Sequence, residues 1–221
     1  IVEVIKPKLF DDLNFVMGKF DPAKHDSFVW VDTKYTDKPY IYLQKECYEQ
    51  FLKMREHAEK DGINLFILSA ARNFDYQKRI WERKWQKLEA NGWTDEQKMA
   101  AEILRYSSMP GTSRHHWGTD FDLNYLSNSW FEEGKGKKIY DWLLVHAADY
   151  GFCQPYTPKS PDREFGYEEE KWHWSYLPLA NKYFRAAEAF LKDDMIAGFS
   201  GSSSAVSIKV VEKYILSIDP D

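Results

Sequence analysis

Residues 113–122 read Ser113-Arg114-His115-His116-Trp117-Gly118-Thr119-Asp120-Phe121-Asp122, just after the turn-like Pro110-Gly111-Thr112. From Thr119 to Asn124 polar and apolar residues alternate, the pattern of a strand with one face on a core. Phe121 and Leu123 then point to that core, and Asp120 and Asp122 point to a cleft. A half-exposed strand is the plainest reading of D-F-D-L. Against it, carboxylates on a buried strand are costly unless they are paired or metal-bound. Gly118 also permits a backbone bend that carries His115 back over the strand.

A second cluster lies about fifty residues on, in Glu170-Lys171-Trp172-His173. In an extended Trp172-His173-Trp174 the two indoles share one face and His173 takes the other. Glu170 falls on the wrong face of a continuous strand, so the backbone must bend between Glu170 and Trp172 for both to meet one metal. Glu168-Glu169-Glu170 alone would be a solvated acidic run, and only the E-x-x-H register promotes Glu170. Together the two stretches offer two imidazoles, a carboxylate and a spare carboxylate. A catalytic zinc site needs that set: three protein ligands, one open position and a general base. His116 competes with His115, and its default is a surface or supporting histidine. His25, His57 and His146 have no helpful neighbours.

Around these motifs the pattern is α+β, with a small antiparallel sheet carrying the site and helices flanking it. Residues 1–43, punctuated by Pro7, Pro22 and Pro39, read as loops and short strands. Cys47, Phe51, Met54 and Ala58 repeat at helical spacing between Gln44 and Lys60. Ile63 to Ala71 reads as a buried strand that ends at Arg72. A cation there is expensive without an anion. It is either salt-bridged or aimed at an oxyanion that forms during carbonyl attack.

Asp75 caps a helix to about Glu89, and Thr94-Asp95-Glu96-Gln97 starts another to about Tyr106. Lys137–Tyr150 forms an amphipathic helix closed by Gly151. Trp172–Tyr176 is a strand, and Pro178–Met195 a helix. Residues 1–197 then make one domain with its core at 44–195. Gly198–Ser204 is a linker, and Ala205–Ile218 a strand or tail.

Composition narrows the partners. The chain has 221 residues, 43% hydrophobic and 29% charged, which suits one sizeable globular domain. Its net charge of −5 and lack of a basic run speak against nucleic acid. No apolar run approaches the roughly 18 residues of a membrane span. The start at Ile1 reads as a trimmed or mature product, from which a signal peptide would already be gone. The aromatic fraction of 17% reads mainly as packing, although surface tryptophans would also suit a carbohydrate-binding module. Cys47 and Cys153 read as buried free thiols, with one disulfide as the alternative. Oligomeric state is open.

With these residues laid out, the sequence resembles the VanY-like zinc D-alanyl-D-alanine carboxypeptidases, in the wider group with lysostaphin-type peptidases and the hedgehog domain. The pattern S-x-H-x-x-G-x-x-x-D is matched by Ser113, His115, Gly118 and Asp122, and E-x-W-H by Glu170, Trp172 and His173. S-x-x-R-x-x-x-x-Q is matched by Ser69, Arg72 and Gln77, so the resemblance covers about Ile63 to Tyr176. It implies that His115, Asp122 and His173 ligate zinc, that Glu170 is the general base, and that Arg72 stabilises the tetrahedral intermediate. It also implies that Ser113 and Gln77 hold the substrate's terminal carboxylate or backbone.

The implied substrate is a peptidoglycan stem peptide that loses its terminal D-alanine, which places the enzyme in the periplasm or cell envelope. The alternatives are an L,D-carboxypeptidase, a D,D-dipeptidase, an endopeptidase or a non-catalytic zinc-bearing domain. The chain departs from the family pattern at Asp120, where a small residue is usual. An added anion there would raise the pKa of the metal's water or act as a supporting partner.

Overall fold

The site face of a four-stranded antiparallel sheet organises the molecule, seen in a computed structural model that describes residues 9–218. Expectations for residues 1–8, including the loop at Pro7, lie outside the described residues. The chain runs through α1 (Leu9–Val16), β1 (Phe28–Trp30), β2 (Tyr42–Gln44), α2 (Lys45–Lys60), β3 (Ile67–Ser69), α3 (Phe74–Ala90) and α4 (Glu96–Leu104). It continues through β4 (Asp120–Leu123), α5 (Gly134–His146), β5 (Phe152–Cys153), β6 (His173–Tyr176), α6 (Leu177–Phe190) and α7 (Ser204–Ile208). The architecture is α+β: β1 and β2 form a hairpin-like pair, and the larger sheet has the order β3-β4-β6-β5.

Register in that sheet decides what shares a face. Asp122 pairs with His173, Phe121 with Trp174 and Asp120 with Ser175. Side chains alternate along each strand, so Asp120, Asp122, His173 and Ser175 share one face while Phe121 and Trp174 share the other. The apolar face packs with Phe51, Met54 and Ala58 of α2 and with Ile139 and Leu143 of α5. That core packs one face of the sheet against two helices and leaves its polar face for the site.

A second core lies among α1, α3, α4 and α6, and it includes Trp81, Trp85, Trp117 and Tyr183. The C-terminal stretch belongs to it. Residues 198–218, expected as a linker and then a strand or tail, instead form turns, α7 and a π-helical turn at Val211–Ile215. Trp81 Nε1 donates to the Ser200 carbonyl, and Glu82 accepts from both Ser200 N and Oγ. The β-branched residues that suggested a strand are buried by contact with α4 and α6: Val210, Val211 and Ile215 all join the core. Tertiary burial overrides local propensity here.

Other corrections are local. Residues 9–16, expected as irregular, are helical, and Phe15 of α1 stacks on Tyr183 of α6. Asn73 rather than Asp75 caps α3, because its side chain accepts from Tyr76 N. The expected strand from Ile63 keeps only three residues in the ladder. On either side of it Ala71 N donates to the Tyr42 carbonyl and Ile63 N to the Ala58 carbonyl. Cys47 is buried and Cys153 half-buried, and no disulfide joins them. Among the described residues no helix is long and apolar enough to cross a membrane.

Candidate metal centre

The bend foreseen at Gly118 is a left-handed residue (φ 67°) that ends a 3-10 turn over Arg114–Trp117. A Cβ there would lie 2.2 Å from the Phe28 ring, so both conformation and space require glycine. The turn lifts His115 over the sheet. The second bend is also present: His173 N donates to the Glu170 carbonyl, closing a turn through Lys171 and Trp172. Glu170 is thereby brought to the face of His173, with Oε2 3.6 Å from His173 Nδ1.

Three ligand atoms converge, one each from His115, Asp122 and His173, all within 4.8 Å of one another. His115 Nδ1 donates to the Ala70 carbonyl at 2.9 Å, which leaves Nε2 as the lone-pair nitrogen. That Nε2 lies 3.4 Å from Asp122 Oδ1, and His173 Nδ1 lies 3.1 Å from the same oxygen. Neither imidazole nitrogen is directed for a hydrogen bond to Asp122 Oδ1, which has no hydrogen-bond partner. The three atoms lie close together without hydrogen-bonding to one another. Two imidazole nitrogens and one carboxylate oxygen at this spacing suit a divalent transition metal.

Charge supports the same fit. Asp120, Asp122 and Glu170 are all buried, with Arg114 the cation buried among them. Burial alone would raise Asp122, but His115 and His173 hold its carboxyl well below the usual carboxylate range. Burial would lower His173, yet the neighbouring carboxylates of Asp120, which accepts from its Nε2, and Asp122 push it up to about 9. A site that draws a proton this strongly is one built to hold positive charge. His115 moves the other way, lowered by burial and by the Arg72 charge, so it keeps a free lone pair.

Asp120 shares the face of Asp122, yet it does not line the cleft. It is 0% exposed and accepts from Arg114 Nε, Thr119 Oγ1, Ser175 Oγ and His173 Nε2. With Nε2 held by Asp120 at 2.9 Å, His173 presents Nδ1 to the ligand point. This carboxylate–imidazole support orients a ligand and raises its basicity. Arg114 and Ser175 were not singled out from sequence. The available signal was the unusual Asp120 itself, since a buried carboxylate requires a buried donor near it.

His116, whose default was a surface or supporting role, is fully buried. Its Nδ1 donates to the Arg72 carbonyl and its Nε2 accepts from Gly111 N, while burial lowers its pKa to about 3. Since Arg72 N also donates to the His115 carbonyl, the two adjacent histidines hold the Arg72 backbone from both sides. Arg72 makes no salt bridge among the described residues, and its Nε has no partner.

These groups line a cleft of about 610 Å³. Glu170 sits in it, and burial pushes its carboxyl up to about 7, outweighing the opposing pull of His173. A carboxyl titrating there can take up and return a proton near neutral pH. One wall is the sheet with the loop at Leu126–Ser129. The other is α3 with Ser107 and Ser108. Gln77 and Ser113 both line the cleft, and Gln77 Oε1 and Ser113 Oγ lack partners.

Residues 40–179 match the family model for VanY, D-alanyl-D-alanine carboxypeptidase. A D-alanyl-D-alanine carboxypeptidase of Enterococcus faecalis (strain ATCC 700802 / V583) is 29% identical over 122 residues, 55% of this chain and 43% of the relative. The chain spans about half the length of the curated relatives it matches. The solved vancomycin-resistance D,D-pentapeptidase VanY of a VanB-type cassette, in complex with Zn(II), is 25% identical with a TM-score of 0.54. That match covers 73% of this chain and 86% of that one. VanYB in complex with D-alanine-D-alanine is 24% identical with a TM-score of 0.56 and shares the fold over 74% of this chain and 86% of that chain.

Proposed function

This chain belongs to the VanY family of D-alanyl-D-alanine carboxypeptidases, and from that premise we propose that it is a zinc D,D-carboxypeptidase releasing the terminal D-alanine of peptidoglycan stem peptides. The observation that carries the reading is the convergence of His115 Nε2, Asp122 Oδ1 and His173 Nδ1 beside Glu170. Zinc, held by those three atoms, would supply Lewis acidity and a water of lowered pKa.

The chain's own residues supply the remainder. Glu170, poised near neutrality by burial, takes the proton of the attacking water and returns it to the leaving amine. Arg72, fixed at its backbone by His115 and His116, turns an unpaired guanidinium toward the charge that develops on the scissile carbonyl oxygen. Ser113 Oγ and Gln77 Oε1 are free to bond the peptide. Asp120 keeps His173 in the tautomer that offers Nδ1. Such an enzyme acts outside the cytoplasm, in the envelope.

The test is a muropeptide digest followed by mass spectrometry. Wild-type protein loaded with zinc should release one alanine from pentapeptide stems, and Glu170→Gln should bind zinc without that release. Release of a dipeptide, or cleavage only of tetrapeptide stems, would assign the same site to a different bond.

A further inference from the structure

The two walls of the cleft differ in charge. The sheet-side loop offers Leu126, Ser127, Asn128 and Ser129, none of them charged. The α3 wall carries Gln77, Arg83 and Lys84. Gln77, Ile80 and Lys84 recur at helical spacing, so one face of α3 lines the cleft. Gln77 Nε2 and Lys84 Nζ donate to the Ser108 carbonyl and to Ser107 Oγ.

What these groups have left to offer is specific. Gln77 spends its amide N–H on Ser108, so its free atom is an acceptor, matched to a peptide N–H and not to a carboxylate. Lys84 has a neutral hydroxyl as its one hydrogen-bond partner, and neither it nor Arg83 forms a salt bridge among the described residues. Taking an ammonium group even partly out of water costs free energy that a paired anion offsets. Lys84 lines the same cleft as Arg72, Glu170 and His173. Burial lowers its pKa, a cost that an incoming anion would offset.

We propose that Lys84 is a specificity residue whose ammonium pairs with the C-terminal carboxylate of the substrate. The α3 wall thereby takes the leaving residue, and the uncharged 126–129 wall takes the upstream peptide. The inference rests on the carboxypeptidase reading for the direction of the peptide. It explains how the cleft acts at a chain end: an internal peptide or a C-terminal amide presents no anion to Lys84.

The experiment is calorimetric binding to zinc-loaded protein in a Glu170→Gln background, where substrate is not consumed. Three peptides separate the sources of a carboxylate: acetyl-Gln-D-Ala-D-Ala, its C-terminal carboxamide, and acetyl-Glu-D-Ala-D-Ala carboxamide. The free acid should bind roughly 10- to 100-fold tighter than either amide, the weight of one charge-assisted hydrogen bond. Lys84→Gln should erase that preference, and Lys84→Arg should keep most of it. Thermal melting checks that both variants are folded.

Three results overturn the inference: acid and amide with equal affinity, including no measurable binding of either; a preference that survives Lys84→Gln; or a side-chain acid bound as tightly as the terminal acid. Because binding is read without turnover, these results are independent of whether the wild-type enzyme releases D-alanine. Failure of that release would instead sink the carboxypeptidase reading.

Discussion

Behind the sheet wall, Asp120 alone accepts from four donors, carried by the 3-10 turn, by Thr119 just before β4, and by β6. Just before α3, Arg72 Nε has no partner, and on the α3 wall Gln77 Oε1 has none and Lys84 has a single hydroxyl. The Asp120 carboxylate is fully partnered within the protein, and Asp122 Oδ1 beside it is left without a partner where the three candidate ligand atoms meet. The α3 wall leaves Gln77 Oε1 open and Lys84 without a carboxylate. A buried polar group without a partner costs about 1–3 kcal/mol, so such groups persist where a ligand completes them. The sheet wall is therefore built for an ion and the α3 wall for a peptide. That division predicts that mutations should separate metal content from substrate recognition.

The largest effect should come at the sheet wall. His173→Ala should bring zinc content from about one equivalent to near zero and abolish hydrolysis, since a three-ligand site does not survive loss of one. Metal analysis after dialysis reads this directly, and a variant that retains zinc would break the division at its centre. Glu170→Gln comes next. Turnover should fall by roughly 10²- to 10⁴-fold with zinc content intact, the usual weight of a positioned acid–base group. Steady-state kinetics beside metal analysis would expose a Glu170 that is a ligand instead.

Asp120→Asn tests the support behind the ligands. Zinc affinity should weaken by about 10- to 100-fold, measured by competition with a chelator. It should also lower the melting temperature, because Arg114 loses its carboxylate partner inside the protein. Unchanged affinity would mean that the Arg114–Asp120–Ser175 network serves packing alone. Smallest are the neutral contacts of the α3 wall. Gln77→Leu should raise KM by roughly 2- to 12-fold, one neutral hydrogen bond, with zinc content unchanged. A loss of zinc in that variant would show that the two walls are not independent.

Much of the sheet wall was legible from sequence. Alternation over Thr119–Asn124, the glycine at Gly118 and the E-x-x-H register pointed to the residues that the structure brings together, and to both backbone bends. These are short-range signals, since each depends on a period of two or on one glycine. The α3 wall was less legible. Gln77 came only through resemblance, and Lys84 went unnoticed, although its spacing from Gln77 placed it on the same helical face. A lysine on a helix is ordinarily a solvated charge. Nothing in the local sequence says that Ser107 and Ser108 fold against it.

The C-terminal stretch failed for the same reason in reverse. Gly198, Ser200 and Gly201 look like a flexible joint, yet a Cβ at Gly201 would lie 2.2 Å from the Trp85 ring, and Ser200 is bonded to Trp81 and Glu82. Small residues there permit close approach to two tryptophans more than a hundred positions away. Proximity of that kind leaves no local pattern.

By itself the sequence determined which chemistry the chain can carry: a His–Asp–His ligand set, a spare carboxylate and an arginine, on elements whose periodicity is readable within a few residues. Tertiary structure alone decided what each group does there. It buries Asp120 behind His173 so that Nδ1 is the atom presented, and turns His116 inward to hold Arg72. It also leaves Lys84 facing the cleft without a carboxylate. Residue type sets a group's possible bonds. Which of those bonds are already made depends on partners brought close only when distant segments pack.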